Sequence, residues 1–138
     1  MDADHLARLD CECQEALPEK AARAITLFNT GDYYAQHDLL EELWRETGGP
    51  VRDLYQGILQ VGIAYYQIER GNYRGALKML RRSARWLAPL PEDCQGVDVR
   101  VLREESARVG AALAALSVEQ IKQFDKALLR PVKMTSSP

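Results

Sequence analysis

Two turns of nearly the same sequence, Gly31-Asp32-Tyr33 and Gly71-Asn72-Tyr73, stand forty positions apart, and each separates two apolar stretches of helical spacing. A chain patterned in this way is constrained to helical hairpins packed on one another. Glycine at such a turn supplies the positive φ that closes a helix, and Asp32 is a good N-cap for the helix that follows. No run of alternating β-branched residues occurs anywhere in the chain. The expected fold class is therefore all-α: a single-domain bundle of about six helices around two stacked antiparallel hairpins.

Punctuation sets the element boundaries. Leu6, Leu9, Cys13 and Leu17 recur at helical spacing before Pro18, and a second helix over about 19–29 should bury Ala22, Ile25 and Phe28. The next, over about 33–46, must stop at Gly48-Gly49-Pro50. Its successor, over about 51–70, carries Leu54, Tyr55, Ile58, Leu59, Val61, Tyr65 and Ile68 around most of its circumference and should be the central, most buried element. A helix over 73–87 ends before Pro89 and Pro91, 91–96 reads as a short loop, and a helix is expected over 97–116. Ser117-Val118-Glu119-Gln120 then reads as a capping box for a last helix with Ile121, Phe124 and Leu128 along its buried edge. One domain is expected over 1–130, with its motifs between 28 and 90, and residues 131–138, which lack apolar periodicity, should form a disordered tail. The turn sequences resemble the inter-helix turn of a tetratricopeptide repeat, but with two copies a closed bundle is expected rather than an open superhelix. Gly57, Gly62 and Gly75 fall inside helices at a cost of ~1 kcal/mol each relative to alanine, which points to close approach between helices.

Composition removes several function classes. With 138 residues, 46% apolar and 28% charged, and a formal charge of -2, the chain is an ordinary globular protein with no field to attract nucleic acid. Arg81, Arg82 and Arg85 cluster, but without interleaved aromatics they read as a solvated helix face. The longest mostly apolar run, 57–66, is far short of the ~20 residues of a membrane span. The acidic N-terminus lacks the basic and apolar regions of a secretory signal, so the cytoplasm is the expected compartment, with no membrane partner. Three cysteines, Cys11, Cys13 and Cys94, are odd in number and read as forming no disulfide framework, which fits a reducing environment. Together with His5 they contain the right atoms for zinc, but at spacings unlike those of structural zinc sites.

The residues able to carry chemistry cluster around the first hairpin. His37 and Glu41 lie one turn apart on one face, with Tyr33 a turn before and Trp44 a turn after. Arg52, Gln56, Gln60 and Gln67 form a narrow polar wedge on the otherwise apolar central helix, Ile63 lies within that wedge, and Asn72 stands at the second turn. If the two helices pair, His37 and Glu41 should meet Arg52 and Gln56 across their seam. An imidazole and a carboxylate so placed can hold a metal on two sides or act as an acid/base pair, yet a catalytic zinc needs a third ligand and a di-iron bundle needs Glu-x-x-His motifs that are absent. No phosphate cradle, nucleophile elbow or zinc-protease motif occurs, so no metal or cofactor is expected. Three readings stay open. The patch binds a small ligand or a protein partner without catalysis; or His37 or Glu41 is the base of a hydrolytic or metal-assisted enzyme with Arg52 as anion anchor; or the group is a polar network that fixes the angle between hairpins. Oligomeric state is left open.

The ordered series Phe28-Asn29-x-Gly31-x-Tyr33, His37, Glu41, Trp44, then Arg52, Gln56-Gly57, Gln60 and Ala64, then Gly71-Asn72-x-x-Gly75-Ala76 resembles domain-of-unknown-function family 309, small prokaryotic helical proteins. The resemblance runs from about 28 to 90. It implies an all-α bundle, no assigned activity, and His37, Glu41, Trp44, Arg52, Gln56, Gln60, Asn72 and Gly75 as the motif positions. The family usually has Glu directly after the motif histidine, where this chain has Asp38.

Overall fold

The computed structural model describes residues 3–135. Among them are six α-helices: α1 (Ala3–Cys13), α2 (Glu19–Asn29), α3 (Tyr33–Glu46), α4 (Arg52–Glu69), α5 (Tyr73–Leu87) and α6 (Val99–Ala114). Among the described residues no helix is long and apolar enough to cross a membrane. The all-α reading holds. The two glycine turns do the same work twice. Gly31 and Gly71 take φ of +87° and +76°. Asp32 N–H then donates to Leu27 O and Asn72 N–H to Gln67 O, both at 2.8 Å, closing α2 and α4 by the same left-handed cap. The caps that follow differ: the Asn72 carboxamide accepts from Gly75 N–H at 3.0 Å, whereas Asp32 occupies the N-cap position without a side-chain bond.

Central α4 packs most extensively on α5 and next on α3, and twelve of its residues are buried, as its apolar circumference requires. Its glycines set the spacing. A Cβ at Gly57 would collide with the Leu87 side chain, and one at Gly62 with the Gln36 amide and the Phe28 ring. On α2 the core face is Ala21, Ala24, Ile25 and Phe28: Ile25 and Phe28 are buried as expected, and Ala22 is exposed where Ala21 and Ala24 take its place.

Several expectations fail beyond α5. The loop before α6 contains a small antiparallel hairpin, β1 (Asp93–Cys94) with β2 (Val97–Asp98), turning through Gln95 and Gly96, both at positive φ. Two-residue strands are too short to show alternation. Cys94 is bonded to Cys13, 81 positions away, so only Cys11 remains a free thiol among the described residues. The expectation that the cysteines form no disulfide is corrected, and the zinc set loses two of its sulfurs. The last helix is instead two 3₁₀ segments, Val118–Gln123 and Lys126–Leu128; the box does form, with Ser117 N–H donating to Gln120 Oε1 at 2.8 Å, and Ile121 and Phe124 are buried.

Residues 131–135 do not fray. Asn29 of α2 brackets Val132 with two bonds, Nδ2 donating to its carbonyl at 3.1 Å and Oδ1 accepting its N–H at 2.8 Å. Beyond it, Asp98 N–H donates to Lys133 O, and Thr135 N–H to Gly96 O. The strand edge offered by β2 satisfies this backbone, which no periodicity of side chains announces. Residues 136–138 lie outside the described part of the chain.

Buried phenols give the fold an alkaline limit. Burial pushes the Tyr55 hydroxyl up to about 12, against the opposing pull of its bond to Gln95, and burial also raises Tyr65 and Tyr33. Tyrosine in the unfolded chain ionises near ~10, so above that pH the folded state holds protons that the unfolded state releases, and stability falls as pH rises. Urea midpoints measured from pH 9 to 12 should decline through this window. Tyr55→Phe should flatten the decline, and an unchanged slope would show that Tyr55 does not contribute.

Candidate functional site

Motif side chains fall into three groups along α3 and α4. At the outer face of α3, His37 Nε2 lies 3.4 Å from Glu41 Oε2, and Glu41 is held from the other side by Arg45 Nη2 at 3.0 Å. Asp38 Oδ1 stands 3.3 Å from His37 Nδ1 without hydrogen-bond alignment. Glu42 turns away to pair with Lys20 of α2, which also takes Glu46. His37, Asp38, Glu41, Glu42 and Arg45 line an open depression of about 480 Å³.

Further along the seam, the Arg52 guanidinium lies 4.1 Å over the Trp44 ring, and Trp44 meets Trp86 of α5 edge to face at 6.3 Å. This stack joins α3, α4 and α5 at one point, with a cation–π attraction worth about 0.5–2 kcal/mol. One turn on, Gln60 Nε2 donates to Gln56 Oε1 at 3.1 Å, both side chains buried. Asn72 stands apart at the turn, capping α5 and donating to Gln67 Oε1 at 3.1 Å. Gly75 is explained by the same cap, because a Cβ there would collide with the Asn72 carboxamide.

Contact is thus made between Trp44 and Arg52, between His37 and Glu41, and between Gln56 and Gln60. Among the described residues no hydrogen bond or ion pair joins His37 or Glu41 to Arg52 or Gln56. What the groups share is incomplete pairing. The buried side-chain atoms without a hydrogen-bond partner among the described residues are Gln36 Oε1, His37 Nδ1, Trp44 Nε1, Arg52 Nε and Gln60 Oε1. All five lie on α3 or α4, and four belong to motif positions. Leaving such an atom bare costs about 1–3 kcal/mol, so these five atoms are the unsettled polar positions of α3 and α4.

Sequence reading missed Gln36 and Asp53, and took Arg82 and Arg85 for a solvated face. Gln36 is fully buried, donating to Leu59 O at 3.1 Å; its step from Tyr33 to Leu40 and Leu43 does place it on the core face. Asp53, Arg82 and Arg85 join Gln60 and Trp86 around a cleft of about 530 Å³ between α4 and α5. A separate groove of about 390 Å³ between α5 and α6 is lined mainly by Leu77, Leu80, Ala84, Leu87 and Ala107. For metals the set is thin: among the described residues no three His, Cys, Asp or Glu side chains come together as ligands.

Comparison with known proteins agrees with the motifs. An uncharacterized protein of Aquifex aeolicus (strain VF5) is 27% identical over 101 residues, 72% of this chain. The uncharacterized protein YpuF of Bacillus subtilis (strain 168) is 37% identical over 59 residues, 42% of this chain. The matched segments span 30% and 34% of those relatives, about a third of their length. Residues 21–79, which hold most of α2, all of α3 and α4 and the first turns of α5, match the model of the domain of unknown function DUF309, the family that the motifs resemble.

Proposed function

We propose that this protein is a helical binding module that takes a small polar ligand at the α3–α4–α5 seam. The observation that carries the reading is the set of buried, unpartnered atoms on His37, Trp44, Arg52 and Gln60. A polar network present only for stability would close on itself, since each open donor or acceptor subtracts from the fold it is meant to hold. A small ligand suits the seam better than a protein surface, because the open atoms of Trp44, Arg52 and Gln60 are buried where α3, α4 and α5 meet. Binding is favoured over catalysis because Arg52 is committed to Trp44 and has no bond to the His37–Glu41 pair that a general base would need beside its anion anchor. Cytoplasmic residence is part of the proposal; it requires the Cys13–Cys94 bond to be shielded from cellular thiols, and both cysteines are buried.

The test separates a ligand seam from a scaffold. Replacing both glutamines by an apolar side chain of similar shape, Gln56→Met with Gln60→Met, removes a bonded pair together with its open acceptor. Such a change should leave stability within about 1 kcal/mol of the parent or raise it. A loss above about 2 kcal/mol in urea unfolding would make the pair a structural network and overturn the reading.

A further inference from the structure

Resting on that reading of the seam, we propose that its α4–α5 cleft binds a small phosphorylated sugar, with Arg82 and Arg85 on the phosphate, Gln60 and Asp53 on hydroxyls, and Trp86 against the sugar's C–H face. The cleft's volume of about 530 Å³ falls within the ~300–1,000 Å³ of small-molecule sites and is ample for one such ligand.

Each wall has its own chemistry. Arg82 and Arg85 are three positions apart on α5 and so stand on one face. Among the described residues neither makes a hydrogen bond or an ion pair with any carboxylate. Two unpaired guanidinium forks beside a cleft suit a dianionic phosphate, which they can meet with parallel N–H donors. Gln60 is 9% exposed, and among the described residues its Oε1 has no donor, although its Nε2 is occupied by Gln56. An anion without an O–H group cannot satisfy that acceptor. A hydroxyl can, and the Asp53 carboxylate on the same wall accepts hydroxyls in the same way. Trp86 adds an apolar plane with a polar edge, the kind of surface on which a polyol can bury its C–H side while its hydroxyls reach the amide and the acid. Anion anchor, hydroxyl acceptors and flat apolar wall together select a molecule carrying a phosphate and several hydroxyls.

Both tryptophans of the chain, Trp44 and Trp86, are in ring contact at this place, so intrinsic fluorescence reports on it directly. Titration of the full chain with ribose 5-phosphate should give a saturable change, and Arg82→Ala with Arg85→Ala should weaken it at least tenfold while the far-UV spectrum and melting temperature stay as in the parent. Ribose without phosphate should bind at least tenfold more weakly, as should inorganic phosphate. No saturable change, equal affinity for inorganic phosphate, or an affinity untouched by the double arginine variant would each overturn the proposal. If ribose 5-phosphate fails while the Gln56→Met, Gln60→Met variant keeps its stability, the ligand class is wrong and the seam remains a ligand site; if that variant unfolds easily, the site reading itself has failed.

Discussion

Reduction of the Cys13–Cys94 bond is expected to lower stability by about 4 kcal/mol, from the entropy of a closed loop of this length. For a chain of this size that is a fall of roughly 12–16 °C in melting temperature. The bond spans 81 positions and ties the end of α1 to β1, so it encloses α2 through α5 in one covalent loop. Weaker ties accompany it. Gln95 N–H donates to Cys13 O at 2.6 Å, its Nε2 donates to Glu12 O at 3.1 Å, and its Oε1 accepts the Tyr55 hydroxyl at 2.8 Å. Glu12 in turn accepts Val51 N–H at 3.1 Å, capping the start of α4 from outside that helix. These bonds form only once the chain has folded. The cross-link, by contrast, acts mainly on the unfolded chain, which is why its removal should cost more than any one of them. Thermal unfolding with and without a phosphine reductant measures the difference, and Cys13→Ala with Cys94→Ala should reproduce the reduced value. Alkylation of the oxidised protein should mark Cys11 alone. A melting temperature unmoved by reductant, or three alkylated thiols in the untreated protein, would contradict the expectation.

The same region shows where reading from residues stops. Gly31, Gly48-Gly49-Pro50 and Gly71 punctuate α2, α3 and α4 so firmly that their bounds follow from local conformational rules, and the apolar circumference of α4 fixes it at the centre. Pairings across long sequence distance carry no such local mark. Cys13 finds Cys94, Asn29 finds Val132, and β2 finds residue 134 because the bundle brings them together, and an odd cysteine count argued the other way. The candidate site divides along the same line. Helical spacing correctly puts His37 beside Glu41 and Gln56 beside Gln60, since both are one-turn neighbours. Which partner Arg52 takes depends on how α3 and α4 cross, and the aromatic face of Trp44 takes it rather than Glu41, already paired with Arg45. Arg82 and Arg85 look like solvated charges until α4 supplies the opposite wall of their cleft.

Phe28→Ala is expected to cost about 3–5 kcal/mol, the range for deleting a large side chain from a packed core. Phe28 of α2 is 1% exposed and meets Tyr33 of α3 edge to face at 5.3 Å and Tyr65 of α4 at 5.7 Å, while those two rings meet each other at 5.6 Å. Each ring of the trio comes from a different helix, so the cluster fixes the angle at which α2 docks on the α3–α4 hairpin. Edge-to-face geometry adds about 0.5–1.5 kcal/mol per pair beyond area, and the alanine variant loses two of the three pairs as well as the buried surface. Collapse into the space is limited, because Gly62 on α4 offers no side chain to lean inward and the Gln36 amide beside it is held by Leu59 O. The penalty therefore belongs toward the upper end of the range. Tyr34→Ala is the matched control: the residue is 52% exposed, its ring touches His37 and Tyr66 from the surface, and the change should alter stability by less than about 0.5 kcal/mol. Urea unfolding at unchanged slope reads both. A Phe28→Ala loss below about 1.5 kcal/mol would mean that α2 can redock without its ring, and the three-ring cluster would then be packing of convenience, with the Lys20 pairs to Glu42 and Glu46 left to orient the helix.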